Sequence, residues 1–145
     1  MKKLLLIIAV AVSAYIGVAQ NGGLSPNEVV AASNGSDQVL ASALKNHRSG
    51  IQIEGKGTVI KILPDDVDGS RHQRFIIRLG SGQTLLVAHN IDIAERVATL
   101  RVGDEVTFNG VYEWNSKGGA IHWTHHDPAG RHVAGWLKHK GRTFQ

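Results

Sequence analysis

A chain of 145 residues has room for one domain and not two, and a composition of 42% hydrophobic and 19% charged residues excludes wholesale disorder. The absence of cysteine excludes a disulfide framework, a thiolate metal site and a lipoprotein anchor, which leaves His, Asp, Glu and carbonyl oxygens for any metal. The formal charge of +4 falls to +2 once Lys2 and Lys3 are set aside, too little to argue for nucleic acid by itself.

Lys2 and Lys3 precede an apolar run from Leu4 to Ala14, and the small residues Gly17 and Ala19 follow it. This is the pattern of a secretory signal peptide over residues 1–19, cleaved after Ala19, and it directs the rest to the periplasm or the exterior. An uncleaved anchor is the lesser reading, because the run is shorter than the roughly 20 residues that cross a bilayer. Residues 20–35 are small and polar, with Gly, Pro and Asn, and read as a flexible spacer. Ser36-Asp37 then opens a helix over residues 36–49, with Val39, Leu40, Ala43 and Leu44 at helical spacing and Gly50 as its stop.

From Ile51 the apolar period changes to two. The first strand runs from Ile51 to Leu63, with Gly55 and Gly57 permitting a sharp bend. Pro64 to Ser70 reads as a turn in which Asp65, Asp66 and Asp68 do ordinary turn chemistry. Strands follow over Arg71–Leu79 and Gln83–His89, then a short helix over Ile91–Leu100, then strands over Glu105–Trp114 and Ala120–His126. Three strands, a helix and two strands form the connectivity of a five-stranded OB-type barrel over residues 51–126. The fold class is therefore mainly β, with the N-terminal helix packed on the barrel and a basic C-terminal tail over residues 127–145. A small SH3-type half-barrel is the runner-up, but it does not account for the internal helix.

The histidines concentrate near the end of the fifth strand, in His122-Trp123-Thr124-His125-His126-Asp127-Pro128. Alternation places Ile121 and Trp123 in the core and His122 and His126 outside. His126, Asp127 and His132, joined by His89 from the third strand, form a candidate site for a divalent metal such as zinc. His125, His126 and Asp127 are the catalytic candidates, suited to acid–base work in a metal-dependent nuclease or phosphodiesterase. No nucleophile motif accompanies them, which favours a binding protein over an enzyme.

A ligand surface is expected around the second and third strands, where Arg71, His72, Arg74 and Arg78 meet His89 and Asn90. Trp114 and Trp136 are candidate stacking partners for bases or sugar rings. Nucleic acid or an anionic glycan is the expected partner.

The stretches Leu63-Pro64-Asp65-Asp66, His72-Gln73-Arg74-Phe75, Ala88-His89-Asn90-Ile91-Asp92, Tyr112-Glu113-Trp114-Asn115 and the run ending His126-Asp127-Pro128 resemble a family of small exported bacterial proteins of unknown function. The resemblance runs from about residue 37 to the C-terminus. It implies an exported single-domain protein and carries no activity, cofactor or catalytic residue.

Overall fold

The computed structural model describes the backbone of residues 26–145 and the side chains of residues 35–145. The signal segment and residues 20–25 of the spacer lie outside the described residues. None of the described helices is long and apolar enough to cross a membrane.

The chain is mainly β. One helix, α1 (Pro26–Lys45), precedes seven strands: β1 (Ile51–Asp66), β2 (His72–Arg78), β3 (Thr84–Asn90), β4 (Glu105–Glu113), β5 (Ala120–His122), β6 (Trp136–His139) and β7 (Arg142–Phe144). They form a single sheet in the order β1-β2-β3-β5-β4-β6-β7, and β1 also pairs with β4. β1 reaches both neighbours because it is long: Ile51–Thr58 pairs with β4 and Thr58–Asp66 with β2. Gly55 and Gly57 lie in the part that turns between them. A Cβ at Gly57 would stand 2.9 Å from the Arg78 carbonyl oxygen, and one at Gly55 would stand 2.7 Å from the Phe108 ring, so both positions need hydrogen there.

Alternate residues of each strand point inward. Phe75, Ile77, Leu85, Val87, Phe108, Tyr112 and Ile121 form the core, and Leu40 and Ala43 of α1 join it. The helix begins ten residues earlier than Ser36 and ends at Lys45, four residues short of its expected end at residue 49. Its Asp37 side chain accepts a hydrogen bond from the Ser81 amide at 2.9 Å, which fastens α1 over the β2–β3 turn.

Two expectations about secondary structure are corrected. Residues 91–100, read as a helix between the third and fourth strands, form turns instead. Their backbone groups find partners on buried side chains: Gln73 donates to the Val97 carbonyl at 3.0 Å and accepts from the Val97 amide at 2.9 Å. With Val97 held in the core by this two-bond clasp, the segment has no need of helical hydrogen bonds. Replacing Gln73 by Leu leaves the Val97 amide buried and unpaired and its carbonyl with only the 3.4 Å bond from the Leu100 amide, and a loss of about 2 kcal/mol is expected in urea unfolding. The second correction concerns the C-terminus, read as a basic tail over residues 127–145. β6 pairs with β4, β7 pairs with β6, and Leu137 and Phe144 are buried. Lys140 and Gly141 both take positive φ in the turn that joins them.

Candidate functional site

β5 stops at His122 rather than at His126, because Trp123 takes a φ of +56°. The alternation is thereby reversed. Thr124 enters the interior, and Trp123, expected in the core, leaves its side chain 45% exposed. Two glycines accommodate this path. A Cβ at Gly110 would lie 2.4 Å from the His122 oxygen, and one at Gly135 would lie 1.8 Å from the Trp123 oxygen.

Thr124 goes inside to meet His89. The His89 ring is fully buried, with Nδ1 2.8 Å from the Thr124 hydroxyl and Nε2 3.0 Å from the Glu95 carbonyl. A carbonyl only accepts, so Nε2 carries the proton and Nδ1 accepts from the hydroxyl. Burial pushes this imidazole down from 6.5 to about 4, against the opposing pull of the Glu95 carbonyl. His89 is thus a neutral staple between the 91–100 loop and the exit of β5. Both nitrogens of this residue, expected at the ligand surface and the metal site, are engaged within the chain.

The other candidates around this end are largely engaged with the chain itself. Asp127, nearly buried, accepts from the amides of Ala129, Arg131 and His132 at 2.9, 2.5 and 3.1 Å. Burial acts to raise its carboxyl, but those amides and the nearby His132 ring outweigh it and hold the group below the ordinary range. Asp127 therefore shapes its own loop rather than orienting His125 or His126. His125 bonds through Nδ1 to the His126 carbonyl at 2.8 Å, and the His126 side chain is exposed. His132 is the imidazole that approaches Asp127, with Nε2 at 3.6 Å from Oδ2. Among the described residues no three of His, Asp or Glu stand where they could share a metal ion, so His89, His126, Asp127 and His132 are not assembled as a ligand set.

On the β2–β3 surface, Arg71 is paired with Asp92 at 2.8 Å, and the Arg71 amide and guanidinium hold the Asp92 carboxyl below its usual range. Asn90 accepts from the Asp92 amide at 3.0 Å, and His72 Nδ1 lies 2.8 Å from the Ser70 carbonyl. Arg74 donates to the Pro64 carbonyl at 3.1 Å. His122, at the end of β5, is half-buried, and burial lowers its imidazole, with Glu113 opposing. Trp114, expected as a stacking partner, is tied to the end of α1. Its indole donates to the Leu44 carbonyl at 3.1 Å, satisfying a carbonyl in the last turn of α1, and its ring lies 4.2 Å from the His47 ring.

Arg78 and Trp136 fall elsewhere, on a face that spans four strands. Strand register aligns Arg78 of β2 with Thr58 of β1 and Glu105 of β4. The next row places Lys56 of β1, Thr107 of β4 and Lys138 of β6 side by side, and the following row adds Trp136 beside Asn109. All these side chains point outward. Lys138 Nζ lies 4.2 Å above the Trp136 ring. Two open depressions meet at Glu105, one of about 390 Å³ under Lys56 and Arg78 and one of about 450 Å³ under Lys138 and Lys140.

Glu54 stands exposed on this face in the row of Asn109 and Trp136, while the two acids that line the depressions, Glu105 and Asp104, are engaged. Glu105 pairs with Lys56 at 3.5 Å. Asp104 accepts from His139 Nε2 at 2.7 Å, and that bond, the Arg101 amide and Lys140 hold its carboxyl low. Arg78 and Lys138 have no carboxylate within 4.0 Å among the described residues. Sequence reasoning misses the Asp104–His139 pair, whose members are 35 residues apart, in segments that read as a turn and a tail. Alternation around Leu137 is the one local signal that Lys138 stands on a strand face.

No match was found among curated proteins. A family model covers residues 24–145, which take in the whole sheet and both faces just described, and on that basis the chain belongs to DUF3465, a family of proteins of unknown function.

Proposed function

We propose that the chain is an exported OB-type binding module for a polyanion such as nucleic acid, and that the ligand crosses the β2–β1–β4–β6 face. The OB-type reading is supported by the strand circuit: β1-β2-β3-β5-β4 returns to β1, with β3 and β5 parallel, as in small five-stranded Greek-key barrels. Export rests on Lys2, Lys3 and the apolar run after them. The observation that carries the ligand class is the cross-strand alignment of Arg78, Lys56 and Lys138 with Trp136 alongside. Cations at successive rows of a sheet face match the repeating charge of a backbone, and an aromatic ring among them suits a base or sugar.

Arg78 and Lys138 are exposed, so their removal leaves the core untouched. In fluorescence anisotropy with a labelled oligonucleotide, the double substitution Arg78→Ala, Lys138→Ala is expected to weaken binding. The slope of log affinity against log salt should fall by about two, roughly one for each phosphate that is no longer neutralised. An unchanged slope, or no salt-sensitive binding by the parent chain to nucleic acid or heparin, sinks the proposal.

A further inference from the structure

Trp123 combines two costs that the fold does not recover. A φ of +56° is a conformation that Gly or Asn adopts more cheaply than a bulky residue, so the side chain strains the turn it sits on. The usual recompense for a tryptophan is burial, and this one is 45% exposed. Bringing Thr124 inward to His89 requires the backbone turn but not an indole at its apex. Glycine would serve the turn alone.

The indole is nonetheless well held. The His132 ring meets it edge-on at 4.1 Å, and the His125 ring lies at 5.6 Å. Both imidazoles are in turn fixed through Nδ1, to the Val133 and His126 carbonyls at 2.9 and 2.8 Å. An exposed ring braced from behind loses little rotamer freedom when a second ring stacks on it. Its location is specific too. The Trp123 carbonyl lies against Gly135, the residue before Trp136, so the turn that carries the indole is packed on the segment that enters β6.

Resting on the polyanion reading above, we infer that Trp123 is a stacking platform for an unpaired nucleobase, and that the ligand is single-stranded nucleic acid. A duplex hides its base faces, and a sulfated glycan offers an indole only C–H ring faces crowded by sulfates, so an unpaired base uses a strained and exposed indole more fully than either.

Competition binding with the full chain separates these ligands: a labelled oligothymidylate against the same length of duplex and against heparin, at low salt. The expected order is single strand, then duplex and heparin. Trp123→Gly relieves the backbone strain, so the variant is expected to fold, which a thermal melt checks. It should lose about ten- to hundredfold in affinity for the single strand, the worth of one base stack by alanine substitution, while heparin affinity changes less than about twofold. Trp123→Phe should recover most of the loss. Unaltered single-strand affinity in Trp123→Gly overturns the inference. Parent binding to duplex or heparin as tight as to the single strand also overturns it, but leaves the polyanion reading standing. Absence of binding to all three removes both.

Discussion

Acidification from pH 7 to pH 4 is expected to cost the folded state about 3 kcal/mol through His89 alone. The imidazole is lowered from 6.5 to about 4 by burial, and a shift of one pKa unit is worth about 1.4 kcal/mol. The sign follows from proton counting. Between the two values the unfolded chain binds a proton at His89 and the folded chain does not, so stability falls as pH falls through that window. Above about 6.5 both states are neutral there and the effect vanishes. Asp92, Asp104 and Asp127 behave differently: their folded carboxyls are lowered from 3.8, so what they contribute is intact above that value and is lost only on further acidification. Urea unfolding across this pH range tests the assignment. His89→Gln keeps a donor for the Glu95 carbonyl and an acceptor for the Thr124 hydroxyl but cannot titrate, so its slope from pH 7 to pH 4 should be much shallower than the parent's, with His122, whose imidazole burial also lowers, supplying what remains. A slope equal to that of the parent chain would show that the titration lies elsewhere.

Gly135→Ala is expected to destabilise the protein by about 3 kcal/mol or more, on the order of 10 °C in melting temperature. The added methyl would lie 1.8 Å from the Trp123 oxygen and 2.6 Å from the Asn109 oxygen. Both atoms are main chain, on the β5 exit and on β4, so neither can swing aside as a side chain could. Relief would require separating these segments, which also breaks the hydrogen bond from the Gly135 amide to the His125 carbonyl at 3.0 Å. Gly130 provides the control. Its φ is +64° with nothing within 4 Å of an added Cβ, so Gly130→Ala should cost only the conformational strain, about 1–2 kcal/mol. Melting curves in which Gly135→Ala is no worse than Gly130→Ala would contradict the close approach on which the Trp123 path depends.

What is legible in the sequence is whatever a local rule decides. Strands β2, β3 and β4 lie within a residue or two of their expected positions because alternation is a property of neighbouring residues. Leu40 and Ala43 are recognisable as the buried stripe of a helix for the same reason. Among the candidate site residues, Arg78 can be placed on an outward face from the alternation of its own neighbours. The face it belongs to cannot be read that way, since Lys56, Lys138 and Trp136 join it only through pairing of β1 with β4 and of β4 with β6.

The remaining differences have one physical origin. Ile91–Leu100 has the apolar spacing of a helix, yet Gln73 and His89, far away in sequence, offer its backbone better partners than its own turns do. The last ten residues carry enough charge to read as a basic tail, but a free edge of β4 was waiting to be paired. Alternation holds through His122 and is broken at Trp123, where Thr124 is drawn in to a buried imidazole across glycine gaps at 110 and 135. Local periodicity therefore determined which segments are strands and which residues line the core. Only the tertiary structure, by bringing donors, acceptors and glycine backbones together across long separations, decided where the chain departs from that periodicity, and the exposed Trp123 lies at one such departure.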